Sequence, residues 1–389
     1  MKVIYVCTAD VSVYESQVLE LLEYYKNNNV EVLLLQGYRN DKERSDLEKK
    51  MSNHIPINTI WYKWYPHYSI FKFKHVKTIK KALLTASCSQ DTVIHVRGDL
   101  PGFIVKKAVE SMNIFSPILV DMRAVVSEEM KYTLSLVPIY NKLQILLLKL
   151  YFESANRSLF VANKNNISIS SVSPVINTYL TSKFPLCKYD KYYNPNIAGK
   201  RFVYSEIARK RVREKYGFHD DDVVVVCSTN SNALWQKDET VIDHLLQRGF
   251  KVLNLSAVDP KIPGCITTKV PFNEMPDYLS AADMAVLWRE DTFMNNSASP
   301  SKFSEFAVMG LYVIHNGSVE VASSHIMKTG SGCVVQAIDD FDIDPKKWNG
   351  RNKRLEWIEK GKDSFGVEGI SQAYINIYKK LKQAASEEK

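Results

Sequence analysis

Two residues of opposite charge, three apart in the stretch SPSKFSEFAVMGLYVI at 299–314, are the best placed in this sequence to do chemistry. The stretch predicts a helix. Ser299 suits the cap and Pro300 the first helical position. Phe303, Phe306 and Ala307 recur at helical spacing and form one apolar face. Ser301, Lys302 and Glu305 fall on the opposite side with Val308 and Met309, so that side is not expected to face bulk water. Gly310 ends the helix, and a short buried strand is expected over 311–314. A cation in a first turn opposes the helix dipole. It makes sense beside an anion, because uncapped N–H groups and an ammonium suit a phosphate or diphosphate. Glu305, one turn further in, is an acceptor-only group able to take both hydrogen bonds of a ribose diol. A solvated Lys–Glu pair, worth a few tenths of a kcal/mol, fits the same spacing.

Other polar residues stand at the ends of predicted strands. His95, Arg97 and Asp99 follow one strand in HVRGDLPG, and Asp121 and Arg123 follow the next in DMRAVVSEEM. Charges at the carboxyl ends of neighbouring parallel strands converge where ligands bind. Arg97, Asp121 and Arg123 are therefore candidates for acceptor contact or for stabilising transition-state charge; an ion-pair network bracing the loops is the structural alternative. Glu128 and Glu129 fit a solvated helix start. The loop STNSNALWQKDE after the strand at 223–227 fits a polar cap for the helix beginning near Asp238. Residues 61–81, WYKWYPHYSIFKFKHVKTIKK, interleave aromatics with lysines. That pattern fits a membrane-surface patch, a single-stranded nucleic-acid face, or an ordinary helix with a core side and a lysine side.

The elements that must position these residues alternate. In the first half, strands are expected at 3–7, 30–35, 58–62, 92–96, 117–121 and 158–161. Helices are expected at 14–27, 71–86, 100–112 and 139–154. Between 184 and 201 the periodicity is lost, which predicts an interdomain linker. The second half repeats the theme, with strands at 223–227, 251–255, 266–270, 284–288 and 333–336. Its helices are expected at 209–215, 238–248, 274–282, 319–328, 354–360 and 370–382. This alternation predicts an α/β fold of two doubly wound parallel sheets, with ligands at the strand ends where strand order reverses.

The 389 residues suffice for two domains, and 45% hydrophobic residues for two cores. The cysteines at 7, 88, 187, 227, 265 and 333 form no C-x-x-C pair, which suits a reducing cytosol. The net charge of +8 leaves nucleic acid, anionic lipid and phosphorylated ligands open as partners. The N-terminal segment reads as a strand, with no signal peptide, and no run reaches the ~18 apolar residues of a membrane span. Histidine spacing offers no metal site. KTGSG at 328–332 is not a P-loop, because its lysine precedes the glycines, and no G-x-G-x-x-G follows the first strand. Asp220, Asp221 and Asp222 read as a turn, and Asp283 as a turn or capping residue.

The stretch at 300–314 resembles the Pro-x-Lys-x-x-Glu-x-x-x-x-Gly-x-x-Val-Ile signature of nucleotide-sugar glycosyltransferases with the GT-B fold. It is most similar to the retaining family 4, in its bacterial surface-polysaccharide branch. The resemblance implies two Rossmann-like domains facing across a cleft. Residues 1–190 would form the acceptor side, 200–366 would bind the donor, and the last helix, 367–389, would cross back onto the first domain. It gives Glu305 the donor ribose, and Ser301 and Lys302 the diphosphate. Thr229, Asn230, Gln236 and Lys237 would add diphosphate contacts from a loop that lacks the family's glycine. Similar Arg-Gly and Asp-x-Arg-Gly segments stand in that branch where Arg97, Asp121 and Arg123 stand here. The sequence departs from the family at Ser297, where many members carry a glutamate that touches the transferred sugar. The implied reaction is metal-independent, cofactor-free transfer from a UDP- or GDP-type donor to a glycan or lipid-linked acceptor. It would serve capsule, O-antigen or lipopolysaccharide-type synthesis at the inner face of the membrane. This favours membrane over nucleic acid for 61–81. A nucleotide-sugar epimerase of the same fold and a non-catalytic partner subunit are the alternatives.

Overall fold

The structure is a computed structural model describing residues 1–8, 14–66, 71–160, 167–186, 189–228 and 239–387. The chain forms two compact units, Met1–Pro195 with Ile370–Lys389, and Asn196–Gly369.

In the first unit the elements run β1 (Lys2–Cys7), α1 (Glu20–Asn27), β2 (Glu31–Tyr38), α2 (Asp41–Met51), β3 (Asn58–Lys63), α3 (Lys72–Thr85), β4 (Thr92–Arg97) and α4 (Asp99–Glu110). They continue as β5 (Ile118–Met122), α5 (Val126–Leu136), α6 (Ile139–Phe160), β6 (Ile167–Ser171), α7 (Pro174–Lys183) and β7 (Lys191–Tyr193). Among the described residues the strands form one parallel sheet in the order β3-β2-β1-β4-β5-β6-β7. Val3, Ile4, Tyr5 and Val6 of the central strand are fully buried, as expected of a parallel strand covered on both faces.

The second unit runs α8 (Glu206–Tyr216), β8 (Val224–Cys227), α9 (Glu239–Gln247), β9 (Lys251–Asn254), β10 (Cys265–Thr267), α10 (Met275–Ala281) and β11 (Met284–Leu287). It continues as α11 (Phe293–Asn296), α12 (Ser301–Val308), β12 (Tyr312–His315), α13 (Glu320–Thr329), β13 (Gly332–Val334) and α14 (Arg354–Phe365). Its parallel sheet has the order β10-β9-β8-β11-β12-β13. Strand order reverses between β1 and β4 in one sheet and between β8 and β11 in the other. The last helix, α15 (Val367–Glu387), belongs to the first unit from Ile370 onward.

The strand expected at 158–161 is not formed by its described residues: α6 continues through Phe160, because Phe152, Ala155 and Leu159 keep helical spacing into the core. The strand is instead β6, whose ISISS sequence buries Ser168, Ser170 and Ser171. The expected 184–201 linker contains β7, and its Asn194, Ile197 and Ala198 are buried. The helix expected from residue 14 opens with a π-helical turn, Glu15–Leu19, before α1 begins.

In the second unit, α12 and α14 touch backbone to backbone. A Cβ placed on Gly361 would lie 2.2 Å from the Ala307 carbonyl oxygen, so only glycine fits. Alanine gains roughly 1 kcal/mol of helix propensity over glycine, whereas forcing packed helices apart costs about 1–3 kcal/mol. Gly361→Ala is therefore expected to lower the urea midpoint. An unchanged or higher midpoint would mean that the helices do not meet this closely.

Candidate functional site

The segment entering α12 is fixed by hydrogen bonds before the helix starts. Beyond β11, Asn316 clamps Arg289 by accepting its N–H at 3.4 Å and donating to its carbonyl at 2.6 Å. Thr292 caps α11 by accepting the Asn295 N–H at 3.2 Å, and Asn295 donates to the Glu290 carbonyl at 2.8 Å. Ser299 does not cap α12 as expected. Its hydroxyl accepts the Asn196 N–H at 2.9 Å, and its carbonyl accepts from the Asn196 side chain. Ser304 donates back to the Asn196 carbonyl at 2.7 Å. The cap position falls to extended Pro300, whose ring carries no hydrogen-bond acceptor, so α12 starts without a side-chain cap.

Uncapped N–H groups and the dipole make that end of α12 attractive to an anion. Lys302 is directed from its first turn to the carbonyl of Ser228, the residue after β8. The start of α12 therefore lies at the carboxyl end of β8, beside the switch point between β8 and β11, where doubly wound sheets take ligands. Ser301 stands first in the helix. Thr229, Asn230, Gln236 and Lys237 follow β8 directly and lie outside the described residues.

Glu305 is buried, only 8% exposed, with Phe303, Phe306, Ala307 and Val308 of the same helix buried beside it. Its carboxylate receives no hydrogen bond among the described residues. Burial pushes its pKa up to about 8, with Lys302 and Arg201 pulling the other way. Arg201 packs over the Phe272 ring at 4.7 Å. A buried carboxylate without donors is unstable as an ion; a ligand presenting two hydroxyls would stabilise it in that form. Ser297, where the resembled family often has glutamate, is buried, and its hydroxyl donates to the Met294 carbonyl at 3.3 Å.

At the amino ends of β8 and β11, the opposite end of these strands from the site, lies a charged hub. Buried Asp283 receives Arg209 at 2.8 Å, Arg213 at 3.3 Å and Arg351 at 2.8 Å, and accepts the Val224 N–H at 2.9 Å. Burial pushes its pKa up, but Arg351 and Arg209 outweigh this and hold the carboxyl below its ordinary value. Asp283 is thus more than the turn or cap expected. It ties α8 to the amino ends of β8 and β11. Asp220 and Asp222 do form a turn, whose carbonyls accept from Arg213 and Arg351. Arg354 is buried, with its guanidinium on the carbonyls of Leu279, Ala282 and Met309.

In the first unit, Arg97, Asp121 and Arg123 come together at the ends of β4 and β5. Asp121 Oδ2 lies 3.2 Å from Arg123 and 3.8 Å from Arg97. The carboxylate is 1% exposed, whereas the Arg97 and Arg123 side chains keep 11% and 17%. Burial pushes Asp121 up, but Arg123, His95 and Arg97 together hold it well below the usual carboxylate range. Arg123 also donates to the Gln17 side chain at 2.9 Å, from the π-helical turn. From α15, Tyr374 donates to Asp121 at 3.0 Å, and the Tyr378 hydroxyl meets His95 Nδ1. No local pattern marks Tyr374 and Tyr378 in the sequence, because their partners lie 253 and 283 positions upstream.

In the 61–81 stretch, Tyr62 and Trp64 are buried, and α3 turns His75, Ile79, Ala82 and Leu83 inward. Arg44 covers the Trp61 ring at 5.2 Å, and Phe73 stands 81% exposed among lysines. Residues 67–70 lie outside the described residues. Among the described residues no helix is long and apolar enough to cross a membrane. Nor do three His, Cys, Asp or Glu side chains among them gather as metal ligands.

Two doubly wound parallel sheets in succession, each with its strand-order reversal beside its central strand, define a GT-B fold of two Rossmann-like domains. No family model matches the chain, and no curated protein matches its sequence. Solved structures do match along its whole length. A glycosyltransferase from Rickettsia africae ESF-5 is 13% identical with a TM-score of 0.66, over 98% of each chain. WaaG, a glycosyltransferase involved in lipopolysaccharide biosynthesis, is 10% identical with a TM-score of 0.64, over 97% of this chain and 99% of its own. The UDP-GlcNAc 2-epimerase of Neisseria meningitidis, bound to UDP-GlcNAc, is 12% identical with a TM-score of 0.56, over 98% of this chain and all of its own. At these identities the likeness establishes the fold.

Proposed function

We propose that this protein is a glycosyltransferase that moves a sugar from a nucleotide-sugar donor to a glycan or lipid-linked acceptor. The observation that carries the reading is Glu305: a buried carboxylate without a hydrogen-bond donor among the described residues, one turn inside an uncapped helix at a sheet switch point. Glu305 takes the ribose diol. Ser301, Lys302 and the N–H groups of α12 take the diphosphate, with Thr229, Asn230, Gln236 and Lys237 completing that contact. As the glycosidic bond breaks, charge grows on the diphosphate, and the helix dipole and Lys302 neutralise it without a metal ion. Arg97 and Arg123, held by Asp121, serve the acceptor or the developing charge. Transfer proceeds with retention, in the synthesis of a bacterial surface polysaccharide. The fold shared with two glycosyltransferases supports this reading.

The epimerase neighbour favours a second reading, conversion of the sugar while it stays on its nucleotide. Incubation with a panel of UDP- and GDP-sugars separates the two. Transfer or slow hydrolysis releases the nucleoside diphosphate, whereas epimerisation returns a new sugar still attached to it. Nucleotide binding without either outcome would identify a non-catalytic partner.

Lys302 carries a prediction of its own. A charge-assisted hydrogen bond contributes about 1.5–3 kcal/mol. Lys302→Ala should therefore weaken UDP or GDP binding about tenfold or more, with little change for the parent nucleoside. Equal losses for nucleoside and diphosphate would remove its phosphate role.

A further inference from the structure

Helix α6 carries an apolar face with no partner among the described residues of this chain. Leu143, Leu146, Leu147 and Leu150 stand at i, i+3, i+4 and i+7, and are 67%, 42%, 59% and 51% exposed. At 100° per residue they cover one arc of about 100°. The opposite face is the ordinary one: Phe152, Ala155 and Leu159 are buried, and the helix packs on α4 and α5. Leu136, at the end of α5, adds a further exposed leucine at 48%.

The charge around this face is mainly positive, with Glu153 of the same helix the exception at its edge. From Met130 to Phe152 the sequence holds no Asp or Glu and three lysines, Lys131, Lys142 and Lys149. Lys131 is 71% exposed, with Glu128 3.8 Å away, and Lys149 pairs with Glu153 at 2.8 Å. Lys142 is exposed and makes no ion pair among the described residues. Lys142 and Lys149, seven apart, line one edge of the leucine arc.

We propose that this face of α6 docks the protein on an anionic lipid surface, the leucines entering the acyl boundary and Lys142 and Lys131 meeting the headgroups. A helix that lies in the interface needs an apolar arc beside cations, and does not need the length or uniform hydropathy of a span. A second copy of the chain fits less well, because a two-fold contact would set a segment of net positive charge against itself, its one carboxylate at the arc, Glu153, being already paired with Lys149. The inference rests on exposure and charge in the first unit and is independent of the donor reading.

The test is co-sedimentation of the full chain with vesicles of phosphatidylcholine alone or with phosphatidylglycerol added, at low and high salt. The wild type is expected to bind the anionic vesicles, weaken as salt rises, and ignore phosphatidylcholine. Leu143→Ser with Leu147→Ser is expected to reduce partitioning at least tenfold with an unchanged thermal transition, and Lys142→Glu to reduce it several-fold. Three outcomes would overturn the proposal. One is no binding by the wild type. Another is undiminished binding by the double-serine variant, above all if Phe73→Ser abolishes it and so moves the contact to the 61–81 stretch. The third is a lipid-free dimer by sedimentation equilibrium that the same serines turn into monomer.

Discussion

Glu305→Gln is expected to make the ligand-free protein more stable and to weaken its hold on a nucleotide about tenfold or more. The physical reason is the same for both effects. Burial raises the Glu305 pKa from 4.5 to about 8. The native state therefore holds a proton that the unfolded chain releases, and stability falls as pH rises from about 4.5 towards 8. Each tenfold difference in proton affinity between the two states corresponds to about 1.4 kcal/mol, so at neutral pH the acid weakens the native state by roughly 3 kcal/mol. Glutamine fills the same space without ionising and removes most of that penalty. The thermal midpoint of the variant should then rise and lose this part of its pH dependence. Nucleotide binding carries the opposite sign. A diol donates to the ionised carboxylate, so UDP or GDP should bind the wild type more tightly as pH rises through about 8, releasing a proton. Thermal melts across pH 5–9, with and without nucleotide, read both effects. A glutamine variant no more stable than its parent, and binding nucleotide as well, would leave Glu305 without a function.

Asp283→Ala should act in the opposite direction and more severely. It would leave Arg209, Arg213 and Arg351 around an empty acceptor, with the first two side chains 9% and 3% exposed. Breaking a buried pair from one side costs about 3–5 kcal/mol, a large share of the roughly 5–15 kcal/mol that holds a domain together. Asp283→Asn keeps one oxygen for these donors and should lose less. Because the native pKa of Asp283 lies below 3.8, its contribution is complete above that pH and disappears as pH falls further, through the native pKa. Urea titrations at pH 7 and pH 3 test both points. The variants should be much weaker than the wild type at pH 7 and closer to it at pH 3. A constant difference between these pH values would show that the ion pairs do not set the stability.

The parallel strands were legible because a strand buried on both faces reads as an unbroken apolar run, such as the valines at 223–226. The segment at 299–314 was legible as a helix followed by a strand because Gly310, at φ +64°, must end it. Less was visible where burial is polar or the helix is exposed. Strand β6 hides in serines that only the folded sheet makes interior. Helix α2 buries Leu47 alone, so its 11 residues carry almost no periodic signal. At the candidate site, sequence spacing placed Lys302 and Glu305 on one side of a helix. Spacing alone fitted both a solvated pair and an enclosed acid, and only the folded chain, with Glu305 8% exposed, separates the two. The Asp283 hub joins residues some 70 positions apart, and no local pattern encodes that.

The central claim is that Glu305 grips the ribose of a nucleoside diphosphate, and the direct measurement is a binding cycle by calorimetry. UDP and its 2′,3′-dideoxy form, and the GDP pair, are titrated into wild type and Glu305→Ala. The wild type should favour the ribose form of its nucleotide by about tenfold or more, at roughly 1.4 kcal/mol per factor of ten, and the variant should bind both forms equally. A ribose preference that is the same in wild type and variant, or no binding of either nucleotide by the wild type, would contradict the account.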